Sequence, residues 1–148
     1  MQTELLYARD VMVRDLITVA PEMPILDIHR LFVEEEIHGA PVVGEDGIVY
    51  GVISTMDLLR VVRDELDTAR PDDRVESLTA EQAMTTQLVT VRPDTPLEDV
   101  ARTMLEHRIH RVLVTGEDRQ LEGVISAFDM LRVIGKAPSQ LHRTGFSL

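Results

Sequence analysis

Gly51-Val52-Ile53-Ser54-Thr55-Met56-Asp57 and Gly123-Val124-Ile125-Ser126-Ala127-Phe128-Asp129 are two copies of one stretch, 72 residues apart. Each opens as a short apolar strand and runs through Ser into a helical pattern. That pattern is carried by Leu58, Val61 and Val62 in the first copy and by Met130, Val133 and Ile134 in the second. Such a strand-to-helix junction puts Ser at the N-cap and Asp three residues on, both on the first turn. Two readings stay open. A helix N-terminus presents free N–H groups and a partial positive charge, which suit a phosphate or another anion. Ser-x-x-Asp is equally a capping box, in which the pair satisfies backbone donors and nothing binds.

Outward from the motif, a shift of 72 aligns residues 8–62 with 80–134 without a gap. Ala8 meets Ala80, Met12 meets Met84, Pro21 and Pro24 meet Pro93 and Pro96, and Ile37-His38 meets Ile109-His110. The chain is a tandem duplication. In each half the periodicity predicts a short strand (Leu16–Val19, Leu88–Val91) and then an amphipathic helix. Ile25, Ile28, Leu31 and Phe32 mark the first such helix, and Leu97, Val100, Ala101, Met104 and Leu105 the second. Thr95-Pro96-Leu97-Glu98 offers an N-cap, a Pro at the first helical position and a Glu at the third. A hairpin follows, Ala40–Val43 and Ile48–Ile53 around the turn Glu45-Asp46-Gly47, and then the motif helix. Each half is therefore β-α-β-β-α behind a short leader, Ala8–Met12 or Ala80–Met84. One half has little apolar surface to stand alone, so the expected α/β (α+β) architecture is two repeats packed sheet-face to sheet-face as a pseudo-two-fold pair. The expected domains are residues 8–62 and 80–134. Residues 63–79, with six acidic and three basic side chains, form an acidic linker, and the tail 135–148 is compatible with disorder or with docking on a partner.

A net charge of −11 argues against nucleic acid and against an anionic membrane surface as partners. With no cysteine there are no disulfides, thiolate metal sites or cysteine nucleophile. No apolar run approaches a membrane span and the N-terminus lacks a signal-peptide pattern, so a cytoplasmic location is expected. Ser54 and Ser126 have no neighbour that suggests an activating base, Lys136 is the one lysine, and no Walker-type loop occurs. No enzymatic activity is expected. His107 and His110 lack a carboxylate to complete a metal site, and none is expected. Arg60 and Arg132, one turn beyond each motif Asp, can pair with that Asp or reach a phosphate.

Two copies of β-α-β-β-α, each ending in Gly-apolar-apolar-Ser-x-x-Asp, resemble a pair of CBS domains, the Bateman module. The preceding His-x-x-Pro-Val is complete in His38-Gly39-Ala40-Pro41-Val42, whereas His110-Arg111-Val112-Leu113-Val114 has Leu113 in place of Pro. The resemblance implies a regulatory module that binds an adenosine-containing ligand (AMP, ADP, ATP or S-adenosylmethionine), needs no cofactor, and signals to a regulated protein. It implies two clefts, each drawing on both halves. The first would use Asp129 on the ribose hydroxyls with Ser126 and Val124, His110 and Arg111 near the phosphate, and Asp15, Ile17, Ile37 and His38 around adenine. The second would use Asp57, Ser54 and Val52, with Gln87, Val89, Ile109 and His110, and His38 and Gly39 on the phosphate side. Arg111 is a permanent forked donor and Gly39 is not, so the Asp129 cleft is expected to be the better phosphate site. The resemblance also implies a homodimer formed through the helices, for which Leu58, Val62, Leu66, Met130 and Ile134 offer apolar surface. The alternative is a structural or interaction dimer with vestigial clefts or a different ligand.

Overall fold

The computed structural model describes residues 5–67 and 77–135. The tail from 136 and most of the expected linker, 68–76, lie outside them. Helices and antiparallel hairpins build an α+β fold. The chain divides into two compact units. Ile17–Leu88 form one, here the Asp57 unit, and the residues up to Leu16 together with those from Val89 form the other, the Asp129 unit.

The units do not follow the repeat boundaries, because each leader packs on the other repeat. The leader helix α1 (Ala8–Val11) belongs to the Asp129 unit. The Ala8 N–H donates to the Thr95 carbonyl at 2.8 Å and the Arg9 N–H to that of Pro93 at 2.9 Å. Its counterpart α4 (Ala80–Ala83) donates in the Asp57 unit from Ala80 to Met23 at 2.9 Å and from Glu81 to Pro21 at 2.8 Å. Ala8 and Ala80 are both fully buried, where a small side chain lets the leader lie close to its host.

In the Asp57 unit, α2 (Ile25–Glu35) is followed by the antiparallel pair β1 (Gly39–Val43) and β2 (Val49–Ser54), then α3 (Thr55–Asp67). In the Asp129 unit, β3 (Thr90–Val91) and α5 (Leu97–His107) are followed by β4 (Arg111–Thr115), β5 (Leu121–Ser126) and α6 (Ala127–Gly135). Each unit closes over its own apolar core. Val19, Ile28, Phe32, Val42 and Ile53 fill one. Val91, Val100, Met104, Val114 and Ile125, the residues 72 positions on, fill the other. Each fully buried side chain of this size contributes about 1.5–3 kcal/mol. The hairpins share their register as well, with the same irregularity after Val42 and after Val114.

Three expectations are corrected. The strand expected at Leu16–Val19 is only a single parallel bridge between Val19 and Val42, whereas β3 forms a two-residue ladder with Leu113 and Val114. Pro41 stands where the second repeat has Leu113, and a proline has no N–H to give the ladder. Thr95 does not cap α5; its hydroxyl accepts from the Arg92 N–H at 3.0 Å and Pro96 holds the N-cap position. Leu58 is buried in the core of its own unit and so is not free for an interface, while Met130 is partly buried against the core of the Asp129 unit. The exposed apolar residues of α3 are instead Met56, Leu59, Val62 and Leu66. The Ile134 side chain, also expected at an interface, lies outside the described part of the structure, although its backbone belongs to α6.

Candidate functional site

Both motifs fold as the Ser-x-x-Asp spacing dictates. Ser54 and Ser126 end β2 and β5, and α3 and α6 start at the next residue. The Ser54 N–H donates to Asp57 Oδ2 at 2.8 Å and the Asp57 N–H returns to Ser54 Oγ at 3.3 Å. The Ser126 N–H donates to Asp129 Oδ2 at 2.8 Å and the Asp129 N–H to Ser126 Oγ at 3.0 Å. The capping-box reading is therefore correct for both copies, and it does not use up either carboxylate. Asp57 is 4% exposed and Asp129 7%.

Each buried carboxylate is met by the arginine one turn on. Arg60 Nη1 donates to Asp57 Oδ1 at 2.7 Å, and Arg132 Nη2 makes the equivalent contact with Asp129 Oδ1. Arg60 is mostly exposed while Arg132 is drawn in, its guanidinium 5.7 Å from the centre of the Phe128 ring. Arg132 Nε is buried and without a hydrogen-bond partner among the described residues. A carboxylate paired with a guanidinium still offers its remaining lone pairs, and hydroxyl groups that reach it gain charge-assisted hydrogen bonds.

The motif glycines have a packing reason. A Cβ on Gly51 would lie 2.8 Å from the Thr85 carbonyl oxygen and 2.6 Å from Met84 Sδ. One on Gly123 would lie 2.9 Å from the Val13 carbonyl oxygen and from two atoms of Met12. The exchanged leader runs directly over each glycine. Val52 and Thr85 trade both backbone hydrogen bonds at 2.9 Å, as Val124 and Val13 do at 2.9 and 3.0 Å.

The phosphate-side residues sit beside the same junctions. Arg111 is exposed on β4 directly opposite Ser126, and Gly39 is opposite Ser54 on β1. The carbonyls of His38 and His110 accept the N–H groups that open α3 and α6, at 2.9 and 2.8 Å. This fixes both histidines at the helix starts with their rings exposed. In the Asp129 unit the structure thus gathers Asp129, Ser126, Val124, His110 and Arg111 around one junction. Asp15 is exposed in the same unit, and Val89 and Ile109 pack against its core. The Asp57 unit gathers Asp57, Ser54, Val52, His38 and Gly39. It also holds Ile37 against its core and the exposed Ile17 and Gln87.

Sequence reasoning missed Thr85. Its hydroxyl donates to Asp57 Oδ1 at 3.1 Å, and Val13 takes its place in the other unit. The Thr-for-Val difference is visible in the repeat alignment, but nothing there says that position 85 meets position 57. Also unforeseen is an open cavity of about 590 Å³ lined by Pro21, Glu22, Gly44, Glu45, Asp46, Tyr50 and Glu81. Four carboxylates surround it, so it repels a phosphate and is not the place for a nucleotide. His107, weighed for a metal, gives its Nδ1 to the Thr103 carbonyl at 2.9 Å. Among the described residues no cluster of three or more His, Asp or Glu is arranged for a metal ion, and no helix is long and apolar enough to cross a membrane.

The CBS domain family model matches residues 8–64 and 75–136. Among solved structures, CBSX2 in complex with AMP is 29% identical, with a TM-score of 0.76, over 88% of this chain and 96% of that one. The CBS domain pair of protein MJ0100, solved with 5′-methylthioadenosine and S-adenosyl-L-methionine, has a TM-score of 0.71 over 90% of this chain and 98% of that one. At 22% identity that likeness speaks for the fold alone. Among curated proteins, a homoserine O-acetyltransferase of Methanohalobium evestigatum is 29% identical over 86% of this chain and 24% of its own length. The 5′-AMP-activated protein kinase subunit gamma-3 of Sus scrofa is 26% identical over 89% of this chain and 26% of its own length. The chain spans well under half the length of the first curated relatives, from 20% to 42%. With both repeats matched and their helix-and-hairpin units built alike, the chain belongs to the CBS domain family.

Proposed function

We propose that this chain is a regulatory module that binds an adenosine-containing ligand, with Asp129 as the ribose acceptor and Arg111 as the phosphate donor. The observation that carries the reading is the state of Asp129. It is a buried carboxylate at the start of α6, bonded by Ser126 and Arg132 alone among the described residues. A vicinal diol brings two hydroxyl donors to such a group, and Arg111 stands on the neighbouring strand. That CBSX2 was solved with AMP supports the ligand class. The adenine contacts that the family resemblance gives to Asp15, Ile17, Ile37 and His38 belong to the same proposal. So do a cytoplasmic location, relay of ligand state to a partner protein, and a homodimer. Met56, Leu59, Val62 and Leu66 on α3 are the apolar residues available to the dimer, and a strictly monomeric mass by light scattering would count against it.

Titration of the full chain with AMP, ADP, ATP and S-adenosylmethionine tests the reading, followed by the same titration of Asp129→Asn. Hydrogen bonds to charged groups contribute roughly 1.5–3 kcal/mol each. Losing the charge should therefore lower nucleotide affinity at least about tenfold. A cap alone predicts a stability cost of about 0.5–2 kcal/mol with the ligand-induced rise in Tm intact. That second outcome would remove Asp129 from the site.

A further inference from the structure

The two motif carboxylates occupy equivalent places and are bonded differently. Asp57 Oδ2 accepts from the Ser54 N–H at 2.8 Å and the Ser54 hydroxyl at 3.0 Å. Its Oδ1 accepts from Arg60 at 2.7 Å and from the Thr85 hydroxyl at 3.1 Å. An ionised carboxylate has about four lone-pair sites, so Asp57 is filled. Asp129 accepts from the Ser126 N–H and from Arg132, and from no hydroxyl among the described residues. Val13, bridged to Val124 as Thr85 is to Val52, brings no donor. Asp129 keeps about two acceptor sites, the number a ribose diol uses.

We infer that the chain holds one adenosine ligand, at Asp129, and that Thr85 closes the Asp57 copy by taking the acceptor a ribose hydroxyl would need. The inference rests on the nucleotide reading above. A ribose approaching Asp57 must displace the Thr85 and Ser54 hydroxyls, so each new hydrogen bond to the carboxylate replaces one already made and the exchange gains little. At Asp129 the ribose bonds are added to those already made. Thr85 acts through Asp57 and decides which of two equal motifs is open. Position 39 works in the same direction, since Gly39 offers no phosphate donor where the second repeat has Arg111. The backbone there admits a Cβ, which on Gly39 would meet nothing closer than the Ile53 carbonyl oxygen at 3.4 Å.

Isothermal titration calorimetry of the full chain with AMP, and separately with S-adenosylmethionine, reads the number of sites. The expected result is one equivalent per chain for wild type and none for Asp129→Asn. Val13→Thr, which brings the blocking hydroxyl to Asp129 without touching the carboxylate, should weaken binding at least about tenfold. Thr85→Val combined with Gly39→Arg should gain a second equivalent of AMP, with melting curves showing that each variant is folded. Two equivalents on wild type, one retained by Asp129→Asn, an unchanged affinity in Val13→Thr, or no gain in the folded double variant would each overturn the inference while leaving nucleotide binding established. No heat and no Tm shift from either probe on wild type would overturn the nucleotide reading itself, and this inference with it.

Discussion

Val13 and Val124 exchange both backbone hydrogen bonds although they stand far apart in the chain, one directly after the first leader and the other inside a motif. The contact draws the Val13 carbonyl over Gly123, so a Cβ there would lie 2.9 Å from that oxygen. Gly123→Ala should therefore push the leader off β5 and destabilise the protein by about 1–3 kcal/mol, the range for overpacking. Chemical denaturation measures it. A change below about 0.5 kcal/mol would mean that the leader moves aside freely.

Arg111 separates phosphate recognition from ribose recognition. It is exposed, so its removal should cost little stability. Arg111→Ala should weaken AMP by roughly ten- to a hundredfold, the worth of one charge-assisted bond, and leave adenosine nearly unaffected. Equal losses for both ligands in calorimetry would place the arginine elsewhere.

Glu36 ends α2 with φ 55°, the left-handed conformation that glycine adopts without a Cβ penalty. Glu36→Gly should raise stability by about 0.5–1 kcal/mol once the chain-entropy loss is set against the relieved strain. Denaturant midpoints are the measurement, and a decrease would show that the glutamate side chain contributes more than its backbone costs.

Tyr50 gives the protein a titration at high pH. Its hydroxyl donates to Asp46 Oδ2 at 3.1 Å, and that hydrogen bond, followed by the Asp46 charge, lifts its pKa above the ordinary tyrosine value of about 10. Burial and Glu81 add to the rise. The folded form holds the proton more tightly than the unfolded form. The stabilisation is thus complete below the ordinary value and is lost as pH rises through the raised one. In a Tyr7→Phe background, phenolate absorbance should report a single late titration, and Asp46→Asn should bring it earlier. No movement on that substitution would show that Asp46 is not the cause.

Much of this protein is legible in its residues alone, because the information is local or doubled. The 72-residue repeat exposes the duplication, and 3.6- and 2-residue periodicities place helices and hairpins. Ser-x-x-Asp specifies a cap through bonds that span three residues, and both caps form. Pro41 shows the limit of local reading. Leu16–Val19 looks like a strand, and the missing N–H of Pro41 beside it leaves only a bridge. Nor does the sequence reveal that each leader crosses to the other repeat, since both hosts carry the same pattern and hydrogen bonds carry no label of sequence distance. That crossing brings Thr85 to Asp57 and Val13 beside Val124. Two motifs that read alike therefore end with different acceptor capacity. A carboxylate's partners are set by what reaches it in space, and only the tertiary structure decides that.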